Sequence, residues 1–227
     1  MQERLRRCCG YRHSSRSKTR TREWLSWVAS CCSPVDYSVY TRYNRDIEFG
    51  LCSMSRLLSG ASAVGFSGSR SVPCSESARA IRSAVVAVPA GVPVLVGCAG
   101  GVDALVRSLL PSAEVFSVAS GRWGVGRGAF AARSAACVRA VAAAGGVWCS
   151  FPSGACPAGL VPSPSQSRCF SGFGSGSWAS LAFAAGLGLP CLVFLPPGVS
   201  APAGWGFVPG AGGWFLLPAP AAQLSLF

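Results

Sequence analysis

Between Pro93 and Asp103 the chain reads PVLVGCAGGVD, and most of the chemistry available there belongs to the backbone. Gly97, Gly100 and Gly101 leave amide N–H groups uncovered, and Asp103 with the following ALVRSLL opens a helical pattern. Exposed N–H groups at a helix start together carry about half a positive charge and favour phosphate. Side-chain chemistry is scarcer. From Met54 onward the acids are Glu76, Asp103 and Glu114, and the one histidine, His13, precedes that point. General acid or base work therefore falls to three carboxyls. Glu76 stands at a helix start and Glu114 at the start of a strand, the wrong edge for a ligand, which leaves Asp103 as the catalytic candidate. Cys98 lies in the same turn beside a helix N-terminus that would lower its pKa and activate it as a nucleophile. A small side chain packed in a tight turn is the plainer account of it.

The elements that must position this turn follow from the apolar pattern. Ala61 to Ser67 reads as a short strand ended by Gly68-Ser69-Arg70, and Ser75 to Val88 as a helix with Ser75 as N-cap. Val94 to Val96 is a second strand, Glu114 to Ala119 a third, Ala129 to Ala144 an Ala-rich helix, and Val147 to Phe151 a fourth strand. Repeated βα units with short apolar strands predict a parallel sheet covered on both faces. Residues 152–171 form a long Pro, Ser and Gly loop, a length that in compact domains signals function or disorder. Trp178 to Leu195 is uncharged and long enough to raise a membrane span. Gly186, Gly188 and Pro190 interrupt it where a βα fold needs a turn, so a buried helix followed by a fifth strand is expected, with no membrane contact.

Both ends differ from this middle. Residues 1–53 hold ten of the twenty Lys and Arg residues and lack a sustained period. They read as a disordered leader, as an extension upstream of a natural start at Met54, or as a basic arm that touches nucleic acid. A zinc site on Cys8, Cys9, His13, Cys31 and Cys32 is not expected, because vicinal cysteines do not easily both face one tetrahedral ion and the usual ligand gaps are missing. Residues 54–198 form the domain. Residues 199–227 are an uncharged Gly, Pro and aromatic tail that wraps the sheet edge loosely or is disordered. A chain of 227 residues, half apolar, supports one core with appendages. The net charge of +12 is discounted, since Arg, Ala, Gly, Pro and Ser abundance with a single Lys also fits a GC-rich coding sequence. Twelve cysteines without a CxxC, several inside apolar runs, behave as small hydrophobes. With no apolar signal region behind the N-terminal charges, a reducing cytoplasm is expected.

Four segments then resemble one superfamily: GFSGSR (Gly65 to Arg70), VGCAGGVDALVRS (Val96 to Ser108), WGVGRGAFAARSAACV (Trp123 to Val138) and GSGSWASLAFAAGLGLPCLVF (Gly174 to Phe194). Together they resemble the Smf/DprA and LOG proteins, the SLOG superfamily, over roughly residues 61–195. The resemblance implies a Rossmann-like three-layer sandwich, with a mainly parallel sheet of about five strands, that binds nucleotides or nucleotide-derived ligands at its carboxyl edge. It would place phosphate against Gly68, Ser69 and Arg70, against Gly97, Gly100 and Gly101, and against Gly174, Gly176 and Ser177. Asp103 would hold a sugar hydroxyl or simply cap its helix. Arg127 and Arg133, at the start of the third helix, would close over phosphate or face solvent. In one respect the chain departs from the LOG pattern: where those enzymes carry the glutamate of PGGxGTxxE, it has Ala179, with Gly176-Ser177 in place of Gly-Thr.

Three functions are therefore expected in order. The first is a module that binds or senses a nucleotide or a derivative without catalysis, needing no cofactor. The second is a nucleotide N-glycosidic hydrolase using Asp103. The third is a single-stranded nucleic-acid-binding protein similar to the DprA branch, with Trp123 or Trp178 stacking on bases. A homo-oligomer is compatible with each.

Overall fold

The computed structural model describes residues 56–219. The leader of residues 1–53, its Cys and His set, and the last eight residues of the tail lie outside them.

The chain forms β1 (Val64–Gly68), α1 (Ser75–Ala87), β2 (Val94–Gly97), α2 (Val102–Leu109), β3 (Glu114–Phe116), a 3-10 turn (Val118–Ser120), α3 (Arg127–Ala143), β4 (Val147–Phe151), α4 (Gln166–Cys169), α5 (Gly176–Gly186), β5 (Cys191–Phe194), β6 (Val208–Pro209) and β7 (Trp214–Leu217). The seven strands among the described residues join one sheet in the order β3-β2-β1-β4-β5-β7-β6. The first five are mutually parallel, with β1 between β2 (Val64 beside Val94) and β4 (Val64 beside Val147). β7 runs antiparallel to β5, and β6 antiparallel to β7. This is an α/β architecture with a mainly parallel sheet flanked by helices.

Alternation along the strands divides the interior in two. Val64 and Phe66 of β1 pack with Ile81 of α1 and Val102 and Val106 of α2 on one face. On the other, Trp148 of β4 and Val193 of β5 pack with Val138 and Val141 of α3 and Leu181 of α5. The Ala-rich sequence of α3 fits the interior, because Ala135 is fully buried in the cluster that α3 shares with α5. At Gly65 a Cβ would overlap the Trp148 ring and Val141, so the largest buried side chain of β4 occupies the space that glycine leaves. Burial pushes the thiols of Cys137, Cys149 and Cys191 far up, and they remain protonated packing groups.

Four expectations need correction. The sheet has seven strands, not about five, because the tail supplies β6 and β7. Trp214 turns toward Phe151 and Phe194 while Phe215 turns to the opposite side, against Phe207. Both faces of β7 are thus apolar, and no alternation marks it as a strand. The third strand ends at Phe116 instead of Ala119, where the chain tightens into the 3-10 turn. Residues 152–171 are not structureless: they include α4, bury Leu160 and Cys169, and bring the Ser163 backbone against α5 at a point where a Cβ on Gly186 would overlap it. At a finer level, Cys74 rather than Ser75 occupies the N-cap of α1. Trp178 to Leu195 is a buried helix and a buried strand, separated by a turn with Gly188 at φ +81°. No helix among the described residues is long and apolar enough to cross a membrane.

Candidate functional site

The strand order reverses between β1 and β4: the chain moves outward from β1 to β3, then crosses back to β4 and outward to β5. Loops leaving the carboxyl ends of β1 and β4 therefore diverge to opposite sides and open a crevice, the place where parallel sheets bind ligands. A cleft of about 770 Å³ lies there. One wall is Ser67 to Ser71 from β1 and its loop. The opposite wall is Ser153 to Ala155 after β4 and Gly174 to Ser177 at the start of α5. The first turns of α3 contribute Phe130, Ala131, Arg133 and Ser134, and Asp103 and Ala99 close the floor beside α2.

Ser69 ties these parts together. Its N–H donates to Phe151 O at 3.1 Å, its carbonyl accepts from Val102 N–H at 3.1 Å, and its hydroxyl accepts from Ser153 N–H at 2.8 Å. With all three groups committed, Ser69 shapes the crevice by joining the loops after β1 and β4 to α2. On the other wall, Ser175 caps α5, its hydroxyl accepting from Trp178 N–H at 3.5 Å. The Trp178 indole N–H donates to Gly154 O at 2.8 Å, which pins the loop after β4 to this helix start. The N-terminus of an eleven-residue helix thus opens on the cleft.

Two guanidinium groups serve the cleft. Arg70 is exposed at the mouth and lies over the Phe130 ring, 5.5 Å from its centroid. Arg133 is 7% exposed, and its Nη1 lies 3.4 Å from Asp103 Oδ2. Asp103, 5% exposed, also accepts from Ala99 N–H at 3.2 Å. Burial pushes its carboxyl above the ordinary carboxylate range, and the Arg133 and Arg107 charges and the Ala99 N–H oppose that rise. Among the described residues, Arg133 Nε and the Ser67 hydroxyl are buried without a hydrogen-bond partner.

Of the residues singled out in the sequence, Gly68, Ser69, Arg70, Asp103, Arg133, Gly174, Gly176 and Ser177 line the cleft together. Gly97, Gly100 and Gly101 do not. A Cβ on Gly97 would overlap Arg133 Nη1 and Asp103 Oδ2, and one on Gly101, at φ +62°, would overlap the backbone of Ser69 and Arg70. These glycines let other protein groups approach, where the turn alone suggested room for a ligand. Arg127 begins α3. Trp123 is stacked on Phe116 away from the cleft, its N–H donating to Ser117 O at 3.1 Å. Trp178 is buried against Trp205 and offers no face for a base. Cys98 Sγ accepts from Val118 N–H and is absent from the cleft wall.

Sequence reasoning missed Arg107, whose guanidinium donates to Gly97 O and Ala99 O and so holds the turn before α2. It also missed the Ser153 to Ala155 wall and Phe130. The only signal for Arg107 was its position one helical turn after Asp103. Comparison with protein-family models, curated proteins and solved structures finds no match.

Proposed function

We propose that this protein binds a nucleotide or nucleotide-derived ligand in the cleft between β1 and β4, as a binding or sensing module without catalysis of its own, on a Rossmann-like domain related to the SLOG superfamily. One observation carries the reading: the cleft combines the α5 N-terminus, Arg70 and Arg133, while the one acid on its wall among the described residues, Asp103, is already paired with Arg133. Phosphate is the anion that such N–H and guanidinium groups hold best. Ser67, Ser71, Ser134 and Ser153 on the wall suit sugar hydroxyls, and the exposed Phe130 suits a planar base.

Hydrolysis of an N-glycosidic bond is the weaker alternative, because Asp103 is committed to Ala99 and Arg133 and residue 179 is a buried alanine. Binding of single strands loses one of its two proposed stacking residues, Trp178, to the core. The test is to equilibrate the purified protein with a nucleotide mixture and identify what stays bound by mass spectrometry, with a parallel assay for released free base. Retention of a nucleotide without release of base is expected. Retention of none in wild-type protein would refute the reading, and release of base would move it to the hydrolase.

A further inference from the structure

Arg133 is only half satisfied. Its charge is removed from water, yet its contact with Asp103 is single and, at 3.4 Å, longer than the roughly 2.8 Å of a strong arginine–carboxylate bond, and its Nε has no partner among the described residues. Gly97 makes room for this loose pair, since any side chain there would overlap both members. A buried cation that lines the cleft and has an unpartnered donor calls for a second acceptor, which a bound anion would supply. Asp103 stays beside that anion, held by Ala99 N–H and opposed by Arg133 and Arg107. The charges on the wall are Arg70 and Arg133 against Asp103, a net charge of +1.

We infer that Asp103 is a resident counter-ion that a bound phosphate must share Arg133 with, and that it sets the charge of the ligand by favouring a singly charged phosphate over a doubly charged one. The inference rests on the nucleotide reading and assigns Asp103 a specificity role in place of a catalytic one. The physical reason is simple. One net positive charge balances a phosphodiester, whereas a phosphomonoester brings a second negative charge close to a fixed carboxylate in a partly dehydrated site, where repulsion is weakly screened.

Asp103→Asn tests this, because asparagine keeps an acceptor for Ala99 N–H and removes only the charge. The probes are adenosine 5′-monophosphate at pH 8, where its phosphate is doubly charged, its 5′-methyl ester, which is singly charged, and adenosine. Calorimetry on the wild-type protein should find the monophosphate bound no more tightly than its methyl ester. In Asp103→Asn, affinity for the monophosphate should rise about tenfold and for the ester about threefold, with adenosine unchanged, since the repulsion removed scales with ligand charge. Equal or weaker monophosphate binding in the folded variant overturns the inference, as does a fall in adenosine affinity, which would make Asp103 a sugar ligand. Arg133→Met gives an independent arm: both phosphates should lose about tenfold in affinity with adenosine unchanged, and full retention overturns the inference even if Asp103→Asn fails to fold. Binding of none of the three probes by the wild-type protein removes the nucleotide reading and the inference with it. A wild-type preference for the monophosphate that Asp103→Asn leaves unchanged removes the counter-ion role alone.

Discussion

Gly101 shows how a residue chosen for one reason turns out to serve another. Its positive φ and the Ser69–Arg70 backbone in its Cβ position make it a packing glycine between two loops. Gly101→Val is therefore expected to cost stability, about 1–3 kcal/mol from strain alone, and to displace the Ser69 loop, so that thermal melting falls together with any cleft binding. A variant that melts like wild type would show that the two loops separate freely. Asp103 carries a second residue-scale prediction. Its folded-state pKa is raised above the ordinary 3.8, so the native protein takes up this proton more readily than the unfolded chain. Its contribution to stability is then greatest below 3.8 and declines as pH rises from there through the raised pKa. The melting-temperature difference between wild type and Asp103→Asn, followed across that window, should move against wild type with rising pH and level off above it. A flat difference would mean that the pair with Arg133 cancels the cost of burial.

At the scale of elements, β7 and α5 carry the consequences. β5 is flanked by β4 on one side and by β7 on the other, with Cys191 beside Leu217 and Phe194 beside Trp214. A chain ended at residue 198 would uncover that edge and the apolar faces of Trp178 and Phe194, which Trp205 and Trp214 cover. Loss of solubility or of cooperative melting is expected, since an exposed apolar strand edge templates association. A monomeric, cooperatively melting product in size-exclusion and thermal measurements would return the tail to the status of an appendage. At the other end of the same layer, Ser175→Ala removes the α5 cap and should cost at most about 1 kcal/mol. Because α5 is buried from Ser177 to Ala184 and held between the sheet, α3 and residues 152–171, packing rather than capping keeps it helical.

For the whole molecule, charge is the property to test. A nucleotide site of a few fixed groups should lose affinity only mildly as salt rises, whereas binding of single-stranded DNA along a basic surface falls steeply. Titrations at two ionic strengths, with a nucleotide and with an oligonucleotide, separate the two. The same measurement on a chain starting at Met54 locates any nucleic-acid affinity: it should vanish if residues 1–53 carry it and persist if the cleft edge does.

Apart from the short α4, strand and helix order from Val64 to Phe194 was legible in the sequence because most βα units there combine an apolar run, a glycine stop and a helical period, all local signals. So were the glycine- and serine-rich turns that end β1 and begin α5. Local pattern could not give β7, whose two faces are both apolar, nor the strand order, which depends on where each crossover returns. It could not assign Gly97 and Gly101 either, since a glycine that admits a ligand and one that admits another loop look alike along the chain. The meeting of Asp103 on α2 with Arg133 on α3, thirty positions apart, is decided by the sheet. Only the tertiary structure sets two helices from opposite faces beside one crevice, and with them the charge of the cleft.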